Sequence, residues 1–270
     1  MLIRVNDLTL NVDLAGDGPA LLLLHGFTGA ASTWAPLVPK LAAHHRTIAV
    51  DLIGHGGSEA PPDPQRYRME SCVGDLGALL DALDIARADV LGYSMGGRAA
   101  LHLAAALPKR VRSLVLESSS PGIADPVERA ARVAADNALA DAIERDGLAA
   151  FVDRWERLPL FASQAGLPDE TRARLRDQRL HNDPLGLANS LRGMGARRPA
   201  PLWDRLAALG MPALLIAGEV DEKYRAIAAA MARAMPRPQL AIVRAAGHAV
   251  HLERPEAFLG AVLQFLDSSE

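Results

Sequence analysis

Ser94 stands in Gly92-Tyr93-Ser94-Met95-Gly96-Gly97, directly after the strand-like run Asp89-Val90-Leu91 and directly before a stretch of helical periodicity. A serine on a sharp strand-to-helix turn needs small residues two positions either side, because the backbone is pinched there. The turn lifts the hydroxyl above a sheet and sets a helix N-terminus beneath it. Outside such a setting the same residues would be a glycine-rich turn in which Ser94 caps a helix. A hydroxyl at its free pKa is a weak nucleophile and a weak base. The chemistry therefore requires an imidazole to take its proton and a carboxylate to orient the imidazole. His248 follows the last apolar run, in Ala245-Ala246-Gly247-His248, and Asp221 follows the run before it, in Ala217-Gly218-Glu219-Val220-Asp221. Ser94, Asp221 and His248 are the predicted catalytic set. Glu219 is a rival for the acid. His251 is a rival for the base, although its position suits the start of the last helix better.

Charge that develops on a reacting oxygen needs donors aimed at it. His25-Gly26-Phe27 follows the first continuously apolar run, so the Phe27 N–H and the Met95 N–H are predicted to converge as an oxyanion hole. Other candidates have plainer readings. Asp51-Leu52-Ile53-Gly54-His55-Gly56-Gly57-Ser58 is a glycine-rich loop after a strand, but no Gly-Lys-Ser or Gly-Lys-Thr follows, so it reads as a structural turn at a pocket rim. His25, His55, His102 and His181 fall in a turn, a loop, a helix and an insertion. No pair of histidines has zinc spacing, and Cys72 is the only cysteine. Neither a metal nor a cofactor is expected, and no intramolecular disulfide can form.

The elements that must position these groups follow from the hydrophobic pattern. Leu2–Val5 and Leu8–Leu14 alternate like a hairpin around Asn6-Asp7. Ala20–Leu24 is apolar throughout, as a strand buried on both faces must be. Similar runs recur at Thr47–Val50, Ala88–Leu91, Val111–Leu116, Ala213–Ile216 and Leu240–Val243. Between them lie helical stretches at Trp34–Ala43, Met69–Leu83, Met95–Leu107, Arg225–Met235 and Pro255–Leu266. Strand and helix alternate, which predicts an α/β fold with a mostly parallel sheet flanked by helices. One stretch breaks the rhythm. From Pro121 to Pro201 only helical periodicity appears, punctuated by Gly147, Pro159, Gly166, Pro168 and Pro184. Residues 1–120 and 201–270 are read as the core, and 121–200 as an inserted helical lid.

Composition sets outer limits. A chain of 270 residues, half of them hydrophobic and 23% charged, buries a large core, which excludes disorder and disulfide miniproteins. A net charge of −3 argues against nucleic acid as a partner. The start, Met1 to Asp7, lacks the apolar stretch of a signal peptide, and no apolar run is long enough to cross a bilayer. A cytoplasmic protein without membrane insertion is the expectation. The 29 basic residues include only three lysines, Lys40, Lys109 and Lys223. A GC-rich genome accounts for most of that skew. A few arginines could instead serve as forked ligands for carboxylates. In the inserted segment arginines and carboxylates are equal in number, so any anion site there comes from local placement.

The serine turn, the order Ser94, Asp221, His248 and the interrupted strand–helix rhythm resemble the α/β-hydrolase fold over nearly the whole chain. Within that fold the chain resembles the 2-succinyl-6-hydroxy-2,4-cyclohexadiene-1-carboxylate synthases of menaquinone biosynthesis. The likeness is carried by Gly92 through Arg98, Ser118-Ser119-Ser120-Pro121-Gly122 and Glu128-Arg129-Ala130-Ala131-Arg132. It continues in Trp155 with Pro159-Leu160-Phe161, in Arg179, in Gly218 through Tyr224, and in Ala246-Gly247-His248. The resemblance implies a lyase rather than a hydrolase: pyruvate is eliminated from 2-succinyl-5-enolpyruvyl-6-hydroxy-3-cyclohexene-1-carboxylate. It also implies an anionic polycarboxylate substrate held by Arg98, Arg132 and Arg179, with Tyr93 and Trp155 as walls. Arg98 or Arg132 as surface residues, the latter because Arg129 lies three residues earlier on the same helical face, and Tyr93 or Trp155 as core are the plainer readings. Arg172, Arg174 and Arg176 crowd the segment around Arg179. A carboxylesterase or carbon–carbon bond hydrolase of the same fold would use the same three catalytic residues.

Overall fold

The computed structural model describes residues 1–195 and 200–268. Its first strands, β1 (Leu2–Val5) and β2 (Leu8–Ala15), pair antiparallel around a turn in which Asn6 takes φ +53°. β3 (Ala20–Leu24) is fully buried, and α1 (Val38–Leu41) is a single turn preceded by a 3-10 turn at Ala31–Trp34. The helix expected over 34–43 is therefore broken. Pro36 and Pro39 remove two backbone donors within four residues, so no continuous hydrogen-bond ladder can form across them. β4 (Arg46–Val50), α2 (Met69–Ala82), β5 (Ala88–Tyr93), α3 (Met95–Ala106) and β6 (Val111–Glu117) follow in regular alternation.

Between β6 and β7 the described chain is helical. It comprises α4 (Pro126–Asp146), α5 (Leu148–Trp155), a 3-10 segment at Pro159–Gly166, α6 (Asp169–Leu180) and α7 (Pro184–Met194). Asp125 and Asp183 cap α4 and α7, each with a proline at the first helical position. β7 (Ala213–Gly218), α8 (Glu222–Ala234), β8 (Pro238–Val243), α9 (Val250–Glu253) and α10 (Pro255–Asp267) complete the chain. No helix among the described residues is long and apolar enough to cross a membrane.

The eight strands among the described residues form one sheet in the order β1-β2-β4-β3-β5-β6-β7-β8, with β1, β2 and β4 joined antiparallel and all other neighbours parallel. Alternate side chains of β3 serve opposite faces. Leu22 and Leu24 join the layer containing α2, α3 and α8, while Leu21 and Leu23 meet Trp34, Leu41 and the α10 residues Phe258, Val262 and Phe265. The helical segment after β6 has its own small core of Ile143, Phe151, Val152 and Leu187, against which Phe27 and Trp155 pack. Strand order reverses beside β3, because β4 lies on one side of it and β5 on the other while all three run parallel. A crevice opens at the carboxyl ends of strands where the order reverses. The loops after β3 and β5, which carry Phe27 and Ser94, meet there.

Candidate active site

Ser94 has φ +51° and ψ −107°, a backbone conformation that side-chain-bearing residues rarely adopt. The turn is held by its surroundings: the Ser94 N–H donates to the Glu117 carbonyl at 2.9 Å, and the Ser94 carbonyl accepts from the Arg98 N–H at 3.1 Å. The small neighbours are required by contact. A Cβ on Gly96 would lie 2.2 Å from the Leu24 carbonyl oxygen, and one on Gly92 would lie 2.4 Å from the Gly96 oxygen. Thr28, Ser118 and Ala245 also take positive φ, in the loops after β3, β6 and β8. Strain is thus gathered at the carboxyl end of the sheet.

The structure brings Ser94, His248 and Asp221 together. His248 Nε2 lies 3.2 Å from Ser94 Oγ, and His248 Nδ1 lies 2.7 Å from Asp221 Oδ2. Asp221 also caps α8, its Oδ1 accepting from the Tyr224 N–H at 3.2 Å, so one carboxylate is fixed by the helix and orients the ring. His248 and Asp221 are both buried. Glu219 does not reach the imidazole; exposed, it accepts from the Ala245 N–H at 3.0 Å. His251 sits instead in a buried pair with Glu117, Nδ1 to carboxylate at 2.8 Å. It belongs to the single turn α9, one turn before the final helix. The Phe27 and Met95 N–H groups find no backbone or side-chain acceptor among the described residues, which leaves both free to donate to a bound group.

Above Ser94 is a cavity of about 110 Å³ lined by residues of the Ser94 turn, of α7 and of the rest of the helical segment. Arg98 and Arg132 line it, as do Phe27, Tyr93, Trp155 and Tyr224. The Arg98 guanidinium has no ion-pair partner among the described residues. Its Nη1 is buried without a hydrogen bond, and burial pushes its pKa down to about 10, which leaves it charged at neutral pH. Arg132 Nε donates to Asp136 at 2.7 Å, and the outer fork of its guanidinium has no hydrogen-bond partner among the described residues.

Arg179 is placed differently. It pairs with Glu156 at 2.9 Å, donates to Gln164 and lies over the Phe161 ring. It borders a smaller adjoining cavity and is absent from the lining of the one above Ser94. Trp155 borders both cavities, with a buried indole N–H that has no hydrogen-bond partner among the described residues. Tyr93 stands between the rings of His248 and His251.

Several contributors escape a sequence reading. Tyr224, its ring 4.5 Å from that of His248, walls the cavity, and burial pushes its phenol up. Glu253 accepts from the Gly247 N–H at 2.7 Å and the Ala249 N–H at 3.4 Å, bracketing His248, and from the Ser163 hydroxyl at 3.0 Å. A glutamate five residues after a candidate histidine was the one visible signal.

The remaining candidates are structural. Asp51 accepts from the Ala31 and Gly57 N–H groups and from Asn11, which closes the glycine-rich loop around a carboxylate. His25 accepts from the Leu52 N–H, and burial pushes His55 down to about 3, so both rings are neutral packing groups. His102 is held down to about 4 by burial and then by Arg98; His181 lies exposed at the C-cap of α6. Lys223 rests over the Tyr224 ring, 5.9 Å from its centroid. Cys72 is buried, and its thiol is pushed up to about 12. No group of three metal-ligating side chains occurs among the described residues.

Comparison with known proteins accords with this geometry. Residues 19–255 match the family model described as alpha/beta hydrolase fold. A Bacillus subtilis (strain 168) protein, provisionally named 2-succinyl-6-hydroxy-2,4-cyclohexadiene-1-carboxylate synthase, is 43% identical over 94% of both chains. A Klebsiella pneumoniae (strain 342) protein with that synthase name is 34% identical over 93% of this chain and 94% of its own. The solved structure of MenH from S. aureus superposes with a TM-score of 0.92 at 34% identity, covering 96% of this chain and 98% of that one. The chain therefore belongs to the α/β-hydrolase fold family, and within it to the 2-succinyl-6-hydroxy-2,4-cyclohexadiene-1-carboxylate synthases.

Proposed function

We propose that the protein is a carbon–oxygen lyase of menaquinone biosynthesis. It eliminates pyruvate from 2-succinyl-5-enolpyruvyl-6-hydroxy-3-cyclohexene-1-carboxylate to give 2-succinyl-6-hydroxy-2,4-cyclohexadiene-1-carboxylate. His248, oriented by Asp221, takes the Ser94 proton, and the Ser94 oxygen removes the ring proton α to the succinyl ketone. The electron pair of that C–H bond passes into an enolate, whose oxygen accepts from the Phe27 and Met95 N–H groups. Collapse of the enolate forms the second ring double bond and breaks the ring C–O bond. The enolate of pyruvate leaves, takes up the abstracted proton and becomes pyruvate. No acyl-enzyme forms and no water is consumed.

The observation that carries this reading is the unpaired Arg98 guanidinium in the wall of the Ser94 cavity. Burying a cation without a partner is costly, and a carboxylate of the bound substrate would supply one. Arg132 would take a second carboxylate, and Tyr93 and Trp155 would form walls. Arg179 would act only if substrate binding drew it away from Glu156. Residues 121–200 would serve as the lid, in a cytoplasmic enzyme acting on a small anionic substrate. Arg98→Ala tests the reading by steady-state kinetics: KM for the tricarboxylate should rise and kcat fall, while slow hydrolysis of a neutral p-nitrophenyl ester persists. Equal loss of both activities would contradict it, because Arg98 would then be supporting the nucleophile turn rather than the substrate.

A further inference from the structure

Glu117 and His251 take no part in the proton transfers above, yet they form the most enclosed ionisable pair near the site. Glu117 ends β6 and its side chain is 0% exposed; His251, on α9, is 1% exposed. The Glu117 carboxylate accepts from the His251 Nδ1–H at 2.8 Å and from the His251 backbone N–H at 3.0 Å. The carbonyl of the same residue accepts the Ser94 N–H at 2.9 Å. One residue thereby grips the nucleophile turn by its backbone and the base-bearing segment by its side chain, since His251 follows His248 by three residues. A second link runs through the rings. Tyr93, next to Ser94 in the chain, lies 4.7 Å from the His251 ring and 5.4 Å from the His248 ring. Trp34 and Phe258 close on the far side of His251.

A buried carboxylate–imidazole pair stabilises a core no better than apolar side chains of similar volume. What it adds is fixed direction, because hydrogen bonds lose strength steeply with angle. We propose that Glu117 and His251 are positioning residues that lock the nucleophile turn to the base loop and set the Ser94–His248 distance. The proposal rests on Ser94 and His248 reacting as a unit, as in the proposed function, but not on the identity of the substrate.

The test uses a reaction that needs only that unit. With a fluorophosphonate, the Ser94 oxygen bonds to phosphorus, fluoride leaves and His248 takes the serine proton; labelling is followed by intact mass. His251→Leu should slow labelling about tenfold to hundredfold, in line with the cost of a small misplacement of reacting groups. Its kcat for pyruvate release should fall alongside, with KM within about twofold, because the substrate cavity is untouched. His251→Asn, whose amide N–H can occupy the place of the Nδ1–H, should recover most of the rate. Should His251→Leu fail to fold, Glu117→Gln, of nearly the same shape, should show the same slowing with an unchanged near-ultraviolet circular dichroism spectrum. Wild-type labelling by a folded His251→Leu or by Glu117→Gln would overturn the proposal, as would a His251→Asn no faster than His251→Leu. Slowed labelling in a protein that releases no pyruvate would leave the positioning role standing and refute only the lyase reading.

Discussion

At the residue scale the account turns on groups that act only together. In the proposed reaction Ser94 would gain basicity from His248, 3.2 Å away, and His248 would gain its orientation from Asp221, 2.7 Å away. Ser94→Ala and His248→Ala should each lower kcat for pyruvate release by at least about a thousandfold, and the double variant should be scarcely slower. Multiplying losses in single-turnover assays would show that the two side chains act independently. The chain order and the loop placement of these three residues were legible in the sequence, because each follows a strand-like run. The choice among arginines was legible only in part. Arg98 follows Ser94 by one helical turn, so the helical repeat alone places it beside the site. Arg179 shares its segment with three other arginines, and only the fold shows it committed to Glu156. Glu117 was hidden differently: a carboxylate closing an apolar strand gives no hint that it meets an imidazole 134 positions away.

At the scale of elements, the strand-to-helix turn between β5 and α3 is the part on which the site depends. It crosses the end of β3 so closely that Gly96 has no room for a side chain. Gly96→Ala should lower stability by about 1–3 kcal/mol, read as a reduced urea midpoint, and should abolish activity even where the fold survives. A Gly96→Ala variant with the stability and turnover of the parent would mean that the turn is looser than its contacts indicate. Strand positions were legible because continuous apolar runs admit few alternatives. The helix expected over 34–43 failed because hydrophobic spacing outweighed two prolines that break the hydrogen-bond ladder. Helix boundaries after β6 could not be read from periodicity, since α4 and α6 are polar on most of their surface; Asp125 caps α4, whereas α6 has no side-chain cap.

For the whole molecule, the doubly covered sheet is a rigid floor, and the chemistry is decided by what lies above it. The same floor with the same Ser94, His248 and Asp221 supports ester hydrolysis when water can enter and a neutral acyl group can bind. In the proposed function a cavity walled by the Arg98 guanidinium, a second arginine and aromatic rings would select an anionic substrate instead. The arginine-rich composition is therefore uninformative in bulk; the placement of Arg98 and Arg132 above Ser94 gives it meaning. The central claim is most directly tested by comparing two rates of the purified protein under one set of conditions. These are pyruvate release from 2-succinyl-5-enolpyruvyl-6-hydroxy-3-cyclohexene-1-carboxylate and hydrolysis of p-nitrophenyl acetate, each as kcat/KM. The lyase account predicts that pyruvate release is faster by at least about a thousandfold, the discrimination expected of a site built around substrate charges. Equal rates, or faster hydrolysis of the ester, would contradict it.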